Sequence, residues 1–281
     1  MPDFNLDKSR DNYCVMGNPV EHSKSPVIHS AFARQTGQDI YYQKIEVPVG
    51  GFTSAMQSFH AQGGKGMNIT LPFKGDAWQA CTRLSVRATQ AQSVNLIDFR
   101  DDEVYGDNTD GIGLVRDLTE NHQVIIEGKS VLILGAGGAV RGVLGPLLDK
   151  KPGKVIVANR TVTRAVDLVK VFAEYSSLSA SSYQALEGCQ FDVVINGTSA
   201  SLSHQVPPLM DNIVNSDTAC YDMMYSDSDT VFVTWAKEHH VAVALDGLGM
   251  LVEQAAESFY IWRGVRPETV TVIEALRAKE I

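Results

Sequence analysis

Four polar clusters occur in the first third of the chain, where predicted strands give way to loops or helices. They comprise residues 23–26 (SKSP), residues 68–74 (NITLPFK), Asn95, and residues 106–111 (GDNTDG). Ligands of open α/β sheets bind outside the carboxyl ends of the strands, so the clusters predict one site for a small polyhydroxylated or acidic molecule. Taken singly, each has a plainer interpretation. A Ser-x-Ser-Pro run is typical of a helix cap, Asn-Thr-Asp-Gly of a turn, and a lone lysine of a surface charge.

A glycine cluster in the middle of the chain predicts a dinucleotide site. The run Gly135-Ala136-Gly137-Gly138-Ala139 follows the apolar segment 131–134 (VLIL) and opens a predicted helix, which is the context that such a site requires. Glycines let the backbone approach a pyrophosphate, and the free N–H groups of the helix start bind its charge. A tight turn without a ligand is the alternative.

The end of the next predicted strand indicates which dinucleotide binds. An NAD site places Asp or Glu there to accept hydrogen bonds from the ribose 2′-OH. This chain instead has Asn159, Arg160 and Thr161, followed by Arg164. Two guanidinium groups and a hydroxyl suit a 2′-phosphate, which a carboxylate would repel, so NADP is favoured over NAD. Solvated arginines at a helix start would give the same pattern.

Short apolar runs alternate with helical patterns, which is typical of α/β architecture. In the first part, strands are predicted at 13–16, 41–47 and 67–69, and a hairpin at 94–105; helices are predicted from Pro26 to Gly37, at 52–62 and over 73–90. Further on, strands are predicted at 131–134, 155–158, 193–196, 219–221 and 241–245. One helix is predicted at 111–121 and another directly after the glycine cluster. The remaining predicted helices are at 163–175, 231–239, 250–264 and 268–279.

These elements predict two domains. Residues 1–110 form an N-terminal α/β substrate domain, to which residues 250–281 return as helices, and residues 111–249 form a Rossmann-type NADP-binding domain.

The charge, the cysteines and the apolar runs of the chain argue against several classes of function. The 281 residues include 24 basic and 33 acidic side chains, a net charge of −9, without a Lys/Arg-rich block, which argues against nucleic acid as a partner. Cys14, Cys81, Cys189 and Cys220 lack metal-ligand spacing and are expected to be free thiols in a reducing compartment, with no metal bound. The polar first twelve residues and the glycine-interrupted run 131–148 predict neither a signal peptide nor a membrane segment. We therefore expect a cytoplasmic protein.

Together and in order, the motifs resemble those of the shikimate dehydrogenase family. They are GNPVEHSKSPVIHSAF, NITLPFK, GDNTDGIG, GAGGAVRGV, NRT, NGTS, DMMY and DGLGMLVEQAA, spread from Gly17 to Ala256. The resemblance implies reversible, NADPH-dependent reduction of 3-dehydroshikimate to shikimate, on the route to chorismate and the aromatic amino acids. We expect a small-molecule substrate as partner and a monomer or homodimer.

The resemblance also implies roles for individual residues. The substrate carboxylate would contact Ser23 and Ser25, with Tyr225 beside it, and the ring hydroxyls would contact Asn68, Thr70, Asn95 and Gln254. Lys74 and Asp110 match the catalytic pair of the family and would also bind substrate. Hydride addition to a ketone needs a proton donor at the new alkoxide, and a lysine beside an aspartate suits that role. The cofactor match falls on Gly135, Ala136, Gly137, Gly138, Ala139, Asn159, Arg160, Thr161, Arg164, Thr198, Ser199, Met223, Gly247 and Met250.

Two positions depart from the family pattern. Leu96 replaces a common threonine, which removes a hydroxyl next to Asn95, and Val86 stands where relatives often carry a polar residue that reaches the cofactor. Two other functions stay open. One is a quinate/shikimate dehydrogenase that uses NAD or both cofactors, against which Asn159 and the arginines after it argue. The other is a non-catalytic NADP-binding sensor, against which the presence of both Lys74 and Asp110 argues.

Overall fold

A computed structural model describes residues 4–101, 103–198 and 207–281. The chain divides into two compact units, one formed by Met1–Asp110 with Val252–Ile281 and the other by Gly111–Leu251. Each unit contains a sheet flanked by helices, so the fold class is α/β, as the alternation of apolar runs predicted. Within the described ranges, no helix is both long and apolar enough to cross a membrane.

The first unit contains a mixed sheet. Its strands are β1 (Asp11–Gly17), β2 (Ile40–Glu46), β3 (Gly64–Ile69), β4 (Arg83–Leu84), β5 (Leu96–Arg100) and β6 (Glu103–Asp107), and the helices between them are α1 (Ser25–Thr36), α2 (Phe52–Ala61), α3 (Lys74–Ala80) and α4 (Val86–Ala91). Helix α1 has proline in its first turn and ends at Gly37, which adopts the left-handed conformation with φ of 65°, as predicted. The predicted helical stretch 73–90 is wrong in its middle, where β4 separates two short helices.

The strand order of this sheet is β2-β1-β3-β5-β6-β4. Strands β1, β2 and β3 are parallel, whereas β5 runs antiparallel to both β3 and β6, which confirms the predicted hairpin. Asn68 lies opposite Leu96, and Leu96 lies opposite Asp107. The end of β3, the start of β5 and the end of β6 therefore meet at one edge of the sheet, although Asn95 precedes its strand rather than following it.

The second unit contains a fully parallel sheet. Its strands are β7 (Ser130–Leu134), β8 (Lys154–Ala158), β9 (Leu178–Ser181), β10 (Val193–Asn196), β11 (Ala219–Asp222) and β12 (Val243–Leu245), accompanied by α5 (Asp110–Arg116), α6 (Gly138–Leu148), α7 (Val162–Val171) and α8 (Val231–Glu238). The order β12-β11-β10-β7-β8-β9 confirms the predicted doubly wound arrangement, whose direction changes between β7 and β10. The remaining helices are α9 (Leu248–Arg263), which begins in this unit and continues into the first, and α10 (Val270–Arg277).

Strand β7 lies at the centre of the second core. Val131 and Ile133 belong to one apolar cluster and Leu132 and Leu134 to another, and all four side chains are fully buried. Helices cover both faces of a parallel sheet, so a central strand reads as an uninterrupted apolar run. This explains why VLIL identified its strand so clearly. Strand β9 was missed, and several predicted bounds were wrong: for example, helix α7 ends at Val171 rather than 175, and β12 starts at Val243 rather than 241.

A buried carboxylate ties together three segments of the second unit. Asp117 is 1% exposed, opens a single π-helical turn (Asp117–Asn121), and accepts a 2.6 Å hydrogen bond from the Tyr221 hydroxyl. The Tyr221 oxygen in turn accepts a bond of 3.2 Å from the Met250 amide. A Cβ added at Gly249 would lie 2.0 Å from an oxygen of the Asp117 carboxylate, so this close packing requires glycine.

We predict that Gly249→Ala lowers the free energy of unfolding by about 1–3 kcal/mol, because the added methyl overpacks a site that cannot relax. Gly75→Ala is the matched control: a Cβ there meets nothing within 4 Å, and Gly75 lies inside α3, where alanine is the better helix former. Thermal and urea denaturation of both variants measure the difference. Equal stabilities for the two variants would contradict the packing argument.

Candidate active site

An ion pair forms the centre of the polar edge of the first unit. The Lys74 Nζ lies 2.6 Å from Oδ2 of Asp110, and the two side chains are 27% and 12% exposed. Lys74 is the first residue of α3, held there by the buried Phe73, and Asp110 is the first residue of α5. The structure therefore brings together two charged groups that the sequence separates by 36 positions.

Asn95 holds the aspartate side of this pair. Its Nδ2 lies 2.7 Å from Oδ1 of Asp110, 2.9 Å from the Thr109 hydroxyl and 3.2 Å from Oε1 of Gln254. Its Oδ1 accepts a 2.8 Å hydrogen bond from the Thr109 amide. Because Asn95 is only 3% exposed, these bonds form out of water and fix the orientation of the Asp110 carboxylate.

Two buried hydroxyls extend this network: Thr109, from the predicted cluster 106–111, and Ser258, which sequence reasoning missed. Thr109 Oγ1 lies 3.4 Å from Oε1 of Gln254 and 3.3 Å from the hydroxyl of Ser258, and both hydroxyl-bearing residues are fully buried. Ser258 stands one helical turn after Gln254 on α9 and donates to its carbonyl oxygen at 2.9 Å. The i, i+4 spacing of Gln254 and Ser258 is the sequence signal that could have found it.

Asn68 joins the network at the end of β3. Its Nδ2 donates to the Ser258 hydroxyl at 3.0 Å and to the Asn95 carbonyl at 3.2 Å. Its Oδ1 lies 2.7 Å from the Tyr42 hydroxyl and 3.2 Å from Nε2 of His29. Sequence reasoning missed both partners. His29 lies one turn after Ser25 on α1 and Tyr42 lies on β2, so only the folded sheet places them at Asn68.

Ser23 and Ser25 lie at the start of α1. The Ser23 hydroxyl donates to the Ser25 hydroxyl at 3.1 Å and accepts a bond from the Ser25 amide at 3.3 Å. The N-cap position is occupied by Lys24, which makes no side-chain capping bond, so the helix-cap alternative for Ser25 does not hold. Thr70 is half-buried directly after β3, and its methyl group fills the space that a side chain on Gly17 would need.

A buried charge cluster fixes the loop that leads to Asp110. Arg87 binds Asp107 through Nε and Nη2, both at 2.8 Å, and reaches Glu257 on α9 at 3.1 Å. Desolvation opposes the guanidinium charge, but the two carboxylates outweigh it and raise the pKa of Arg87. Asp107 also accepts hydrogen bonds from Ser85 and from the backbone amide of Asn108, and thereby fixes the start of the loop that ends at Asp110.

The glycine cluster of the second unit forms a turn that is open to solvent. Gly135 has φ of 101°, and a Cβ there would lie 3.1 Å from the Gly197 carbonyl, so the turn requires glycine. Gly137 precedes α6, and a Cβ at Gly137 or Gly138 would meet nothing within 4 Å. The open space, the helix start and the left-handed glycine together fit the pyrophosphate of a dinucleotide.

A cavity of about 240 Å³ adjoins this turn, lined among others by Gly137, Gly138, Arg141, Arg164 and Asp167. Arg164, predicted to bind the 2′-phosphate, thus lies beside the glycine turn, whereas Arg141 and Asp167 were missed as lining residues. The Asp167 carboxylate is paired with Lys170 at 2.9 Å, which offsets its repulsion of an anion.

The other predicted cofactor residues are distributed around the strand ends of the same unit. Arg160 is exposed and lies outside the cavity lining, while the Asn159 amide donates to the Thr161 carbonyl at 2.8 Å and shapes the turn after β8. Thr198 donates to Asn196 at 2.7 Å. Ala136 lines the cavity and Ala139 is exposed on the first turn of α6. Ser199 lies outside the described residues.

Three further predicted residues surround the turn before α9. A Cβ at Gly247 would lie 2.4 Å from the Met223 carbonyl, so Gly247 permits close contact between two loops. Met223 and Met250 are half-buried and pack against the main apolar cluster of the unit. Tyr225, predicted at the substrate, belongs to the second unit, and burial raises the pKa of its hydroxyl.

The two departures from the family pattern have different surroundings. Leu96 is fully buried in β5 and occupies apolar core, while Val86 is 77% exposed at the start of α4. Within the ranges that the structure describes, no three His, Cys, Asp or Glu side chains form a cluster that could hold a metal ion.

Comparisons with known proteins agree along the chain. Family models match in three segments: a shikimate dehydrogenase substrate binding domain over residues 15–97, shikimate/quinate 5-dehydrogenase over 117–215, and a shikimate 5′-dehydrogenase C-terminal domain over 247–277. Shikimate dehydrogenase (NADP(+)) of Alkalilimnicola ehrlichii is 57% identical over 95% of this chain and 98% of its own length.

Solved structures show the same fold. The crystal structure of an Ael1 enzyme from Pseudomonas putida has a TM-score of 0.91 at 44% identity, covering 95% of this chain and 98% of that one. Shikimate 5-dehydrogenase from Thermus thermophilus, in complex with NADP(H) and shikimate, has a TM-score of 0.85 at 27% identity, with 95% and 99% covered.

We predict that Arg87→Met lowers the free energy of unfolding by about 3–5 kcal/mol, because it leaves the buried Asp107 carboxylate without its cation and Glu257 with Arg266 alone. Arg83→Met is the matched control. It breaks a single 3.2 Å pair with Glu103 in which both side chains are more than 40% exposed, and should cost less than about 1 kcal/mol. Urea denaturation at neutral pH measures both. A small loss for Arg87→Met would show that water already compensates the cluster.

Proposed function

The chain belongs to the shikimate dehydrogenase family, and on that premise we propose that it catalyses the reversible, NADPH-dependent reduction of 3-dehydroshikimate to shikimate. The single observation that carries the proposal is the 2.6 Å pair of Lys74 and Asp110, oriented by Asn95 within a buried polar network. A ketone reduction needs such a proton-holding pair, and a dinucleotide-binding protein without turnover would not.

The residues of the second unit support NADP as the cofactor. Backbone N–H groups at Gly137 and Gly138 would hold the pyrophosphate, and Arg160, Thr161 and Arg164 would hold the 2′-phosphate. No carboxylate stands at the end of β8 to bind a free 2′-OH, which weighs against the dual-cofactor alternative. Bound NADPH supplies the hydride, and NADP⁺ accepts it in the reverse direction.

Lys74 and Asp110 supply the proton chemistry. Reduction of the carbonyl creates an alkoxide, to which the Lys74 ammonium donates a proton from Nζ. The Asp110 carboxylate, hydrogen-bonded to that nitrogen, holds the lysine in place and stabilises its charge. In the oxidation of shikimate the same pair accepts the proton of the hydroxyl, so one arrangement serves both directions.

The remaining polar residues of the first unit hold the substrate. Ser23 and Ser25, adjacent at the start of α1, would donate to its carboxylate, where the helix dipole adds favourable charge. Asn68, Thr70, Asn95 and Gln254 contact the ring hydroxyls, and the motif match assigns Tyr225 to the carboxylate. These assignments follow the family motifs, and the hydrogen bonds among Asn68, Asn95 and Gln254 support them.

The proposal extends to location and assembly. Cys14, Cys81, Cys189 and Cys220 are all free, which suits the reducing cytoplasm that we propose as its location. We propose a monomer or a homodimer, which sedimentation equilibrium distinguishes.

The decisive assay follows NADPH absorbance with shikimate or quinate and with NADP or NAD, in all four combinations. The proposal expects the highest kcat/KM for shikimate with NADP. A preference for quinate or NAD would favour the dual-specificity alternative, and NADP binding without turnover in any combination would favour the sensor.

We predict that Lys74→Ala lowers kcat by about a hundredfold or more and leaves the Kd for NADP unchanged, because general acid–base groups contribute roughly 10²–10⁴ in rate. Asp110→Asn should act similarly, and the double variant should lose less than the product of the two single losses, since the residues act as a unit. Steady-state kinetics and cofactor titration measure these effects. Near wild-type kcat in either single variant at saturating shikimate would refute the assignment.

Cofactor choice should depend on the arginines after β8. The double variant Arg160→Ala/Arg164→Ala should raise the KM for NADP by about tenfold or more and barely change the KM for NAD. Only NADP carries a 2′-phosphate, to which the arginines would make charge-assisted hydrogen bonds of about 1.5–3 kcal/mol. Lys154→Ala, which removes an exposed cation at the opposite end of β8, is the control. An equal loss for both cofactors would assign the arginines to adenine binding or folding.

A further inference from the structure

The amide of Asn68 has a hydrogen-bonding partner for each of its four positions. Tyr42 and His29 face Oδ1, and the Asn95 carbonyl and the Ser258 hydroxyl face Nδ2. Asn68 is 6% exposed and His29 is fully buried, so water does not substitute for a lost partner on that side. An amide offers two donors and two acceptor sites, and here all of them are used.

One carbonyl group determines which way this amide points. The Asn95 carbonyl oxygen can only accept hydrogen bonds, and it already accepts one from the Ile69 amide at 2.9 Å. Rotating the Asn68 amide by half a turn would place Oδ1 3.2 Å from that carbonyl, oxygen against oxygen. The nitrogen of Asn68 must therefore face Asn95, and its oxygen must face His29 and Tyr42, which both have to donate.

This requirement fixes the protonation of His29. Nε2 must carry the hydrogen, because it donates to Asn68, and the ring is neutral since burial lowers the pKa of His29 to about 3. Nδ1 then holds a lone pair, and among the described residues it has no hydrogen-bond partner. The ring is held by stacking on Tyr42, with centroids 4.3 Å apart and planes within 9°, and by Trp262 and Phe259.

Tyr42 has a second contact on the substrate side. The Ser25 hydroxyl opposes the rise in pKa that burial causes at Tyr42, so it lies near the Tyr42 oxygen, whose own hydrogen goes to Asn68. Tyr42 thus connects the serine pair proposed for the carboxylate with the asparagine proposed for a ring hydroxyl. Its side chain is 8% exposed and cannot exchange these partners for solvent.

We propose that Tyr42 and His29 are positioning residues that hold the Asn68 amide with its nitrogen toward Asn95 and Ser258, so that Asn68 meets the substrate as a donor. This inference rests on the proposed function, because it assigns the polarity of one substrate contact. A ligand group that approaches Asn68 can exchange only an Nδ2–H bond. The buried Tyr42 and His29 donors would lose their acceptor, whereas the Asn95 carbonyl keeps the Ile69 amide and the Ser258 hydroxyl keeps Thr109 within hydrogen-bond distance. The site therefore selects an acceptor, such as a hydroxyl oxygen, at this position.

Tyr42→Phe tests the proposal by removing one donor and leaving the ring. With saturating NADP, the KM for shikimate should rise about tenfold while kcat and the KM for NADP change little, as expected for loss of one hydrogen bond that orients a binding group. Tyr13→Phe is the matched control. Tyr13 is the register partner of Tyr42 on β1 and is equally buried, but its hydroxyl bonds Arg263 outside this network.

An unchanged KM in Tyr42→Phe, or an equal rise in Tyr13→Phe, would overturn the proposal. If Tyr42→Phe does not fold, His29→Phe replaces it, because it keeps a ring in the stack and also removes the unpartnered Nδ1. That variant should show the same separation of KM from kcat.

The wild-type protein provides an independent readout. Long-range ¹H–¹⁵N correlation spectra should show His29 neutral and protonated on Nε2 throughout the neutral pH range. Protonation on Nδ1 would reverse the Asn68 amide and overturn the inference. A wild-type protein inactive on shikimate would refute the proposed function alone, since the tautomer would still decide how Asn68 is oriented.

Discussion

Asn95 is the residue on which the polar edge of the first unit depends. Its backbone amide donates to Asp107 and its carbonyl accepts from Ile69, so it joins β3 to the end of β6. Its side chain then orients Asp110, and its carbonyl orients Asn68. This one residue, which directly precedes β5, thus orients both the proposed acid–base pair and the amide proposed to contact a substrate hydroxyl.

Such a concentration of buried polar groups is stable only when the groups satisfy one another. The network from Lys74 to Tyr42 achieves this with neutral amides and hydroxyls around a single ion pair. The second set of charges, Arg87 with Asp107 and Glu257, is kept separate and balanced by Arg266. The strongly charged groups therefore hold the loop and α9 in place without competing for the residues proposed to meet the substrate.

Much of the fold followed from periodicity. The VLIL run and the glycines after it predicted β7 and α6 because a central parallel strand is apolar on both faces. Strand β9 was missed because LSAS is short and half polar, and β4 because two residues carry no period. In the site, the motifs indicated Lys74, Asp110 and Asn95. His29 and Tyr42 could not be predicted, because each is ordinary in its own element and only the packing of α1 and β2 in the folded unit brings them to Asn68.

The first unit is discontinuous in the chain, whereas the second is a single segment, Gly111–Leu251. On the ribosome, all of the second unit is synthesised before Gln254, Glu257 and Ser258 exist. Domains generally fold as units during synthesis, so the parallel sheet can form while the mixed sheet still lacks α9. Until then Asn68 lacks Ser258, and Arg87 lacks one of its two carboxylates. The nascent polypeptide can therefore fold its second unit before the residues of α9 that complete the polar edge of the first unit have been synthesised.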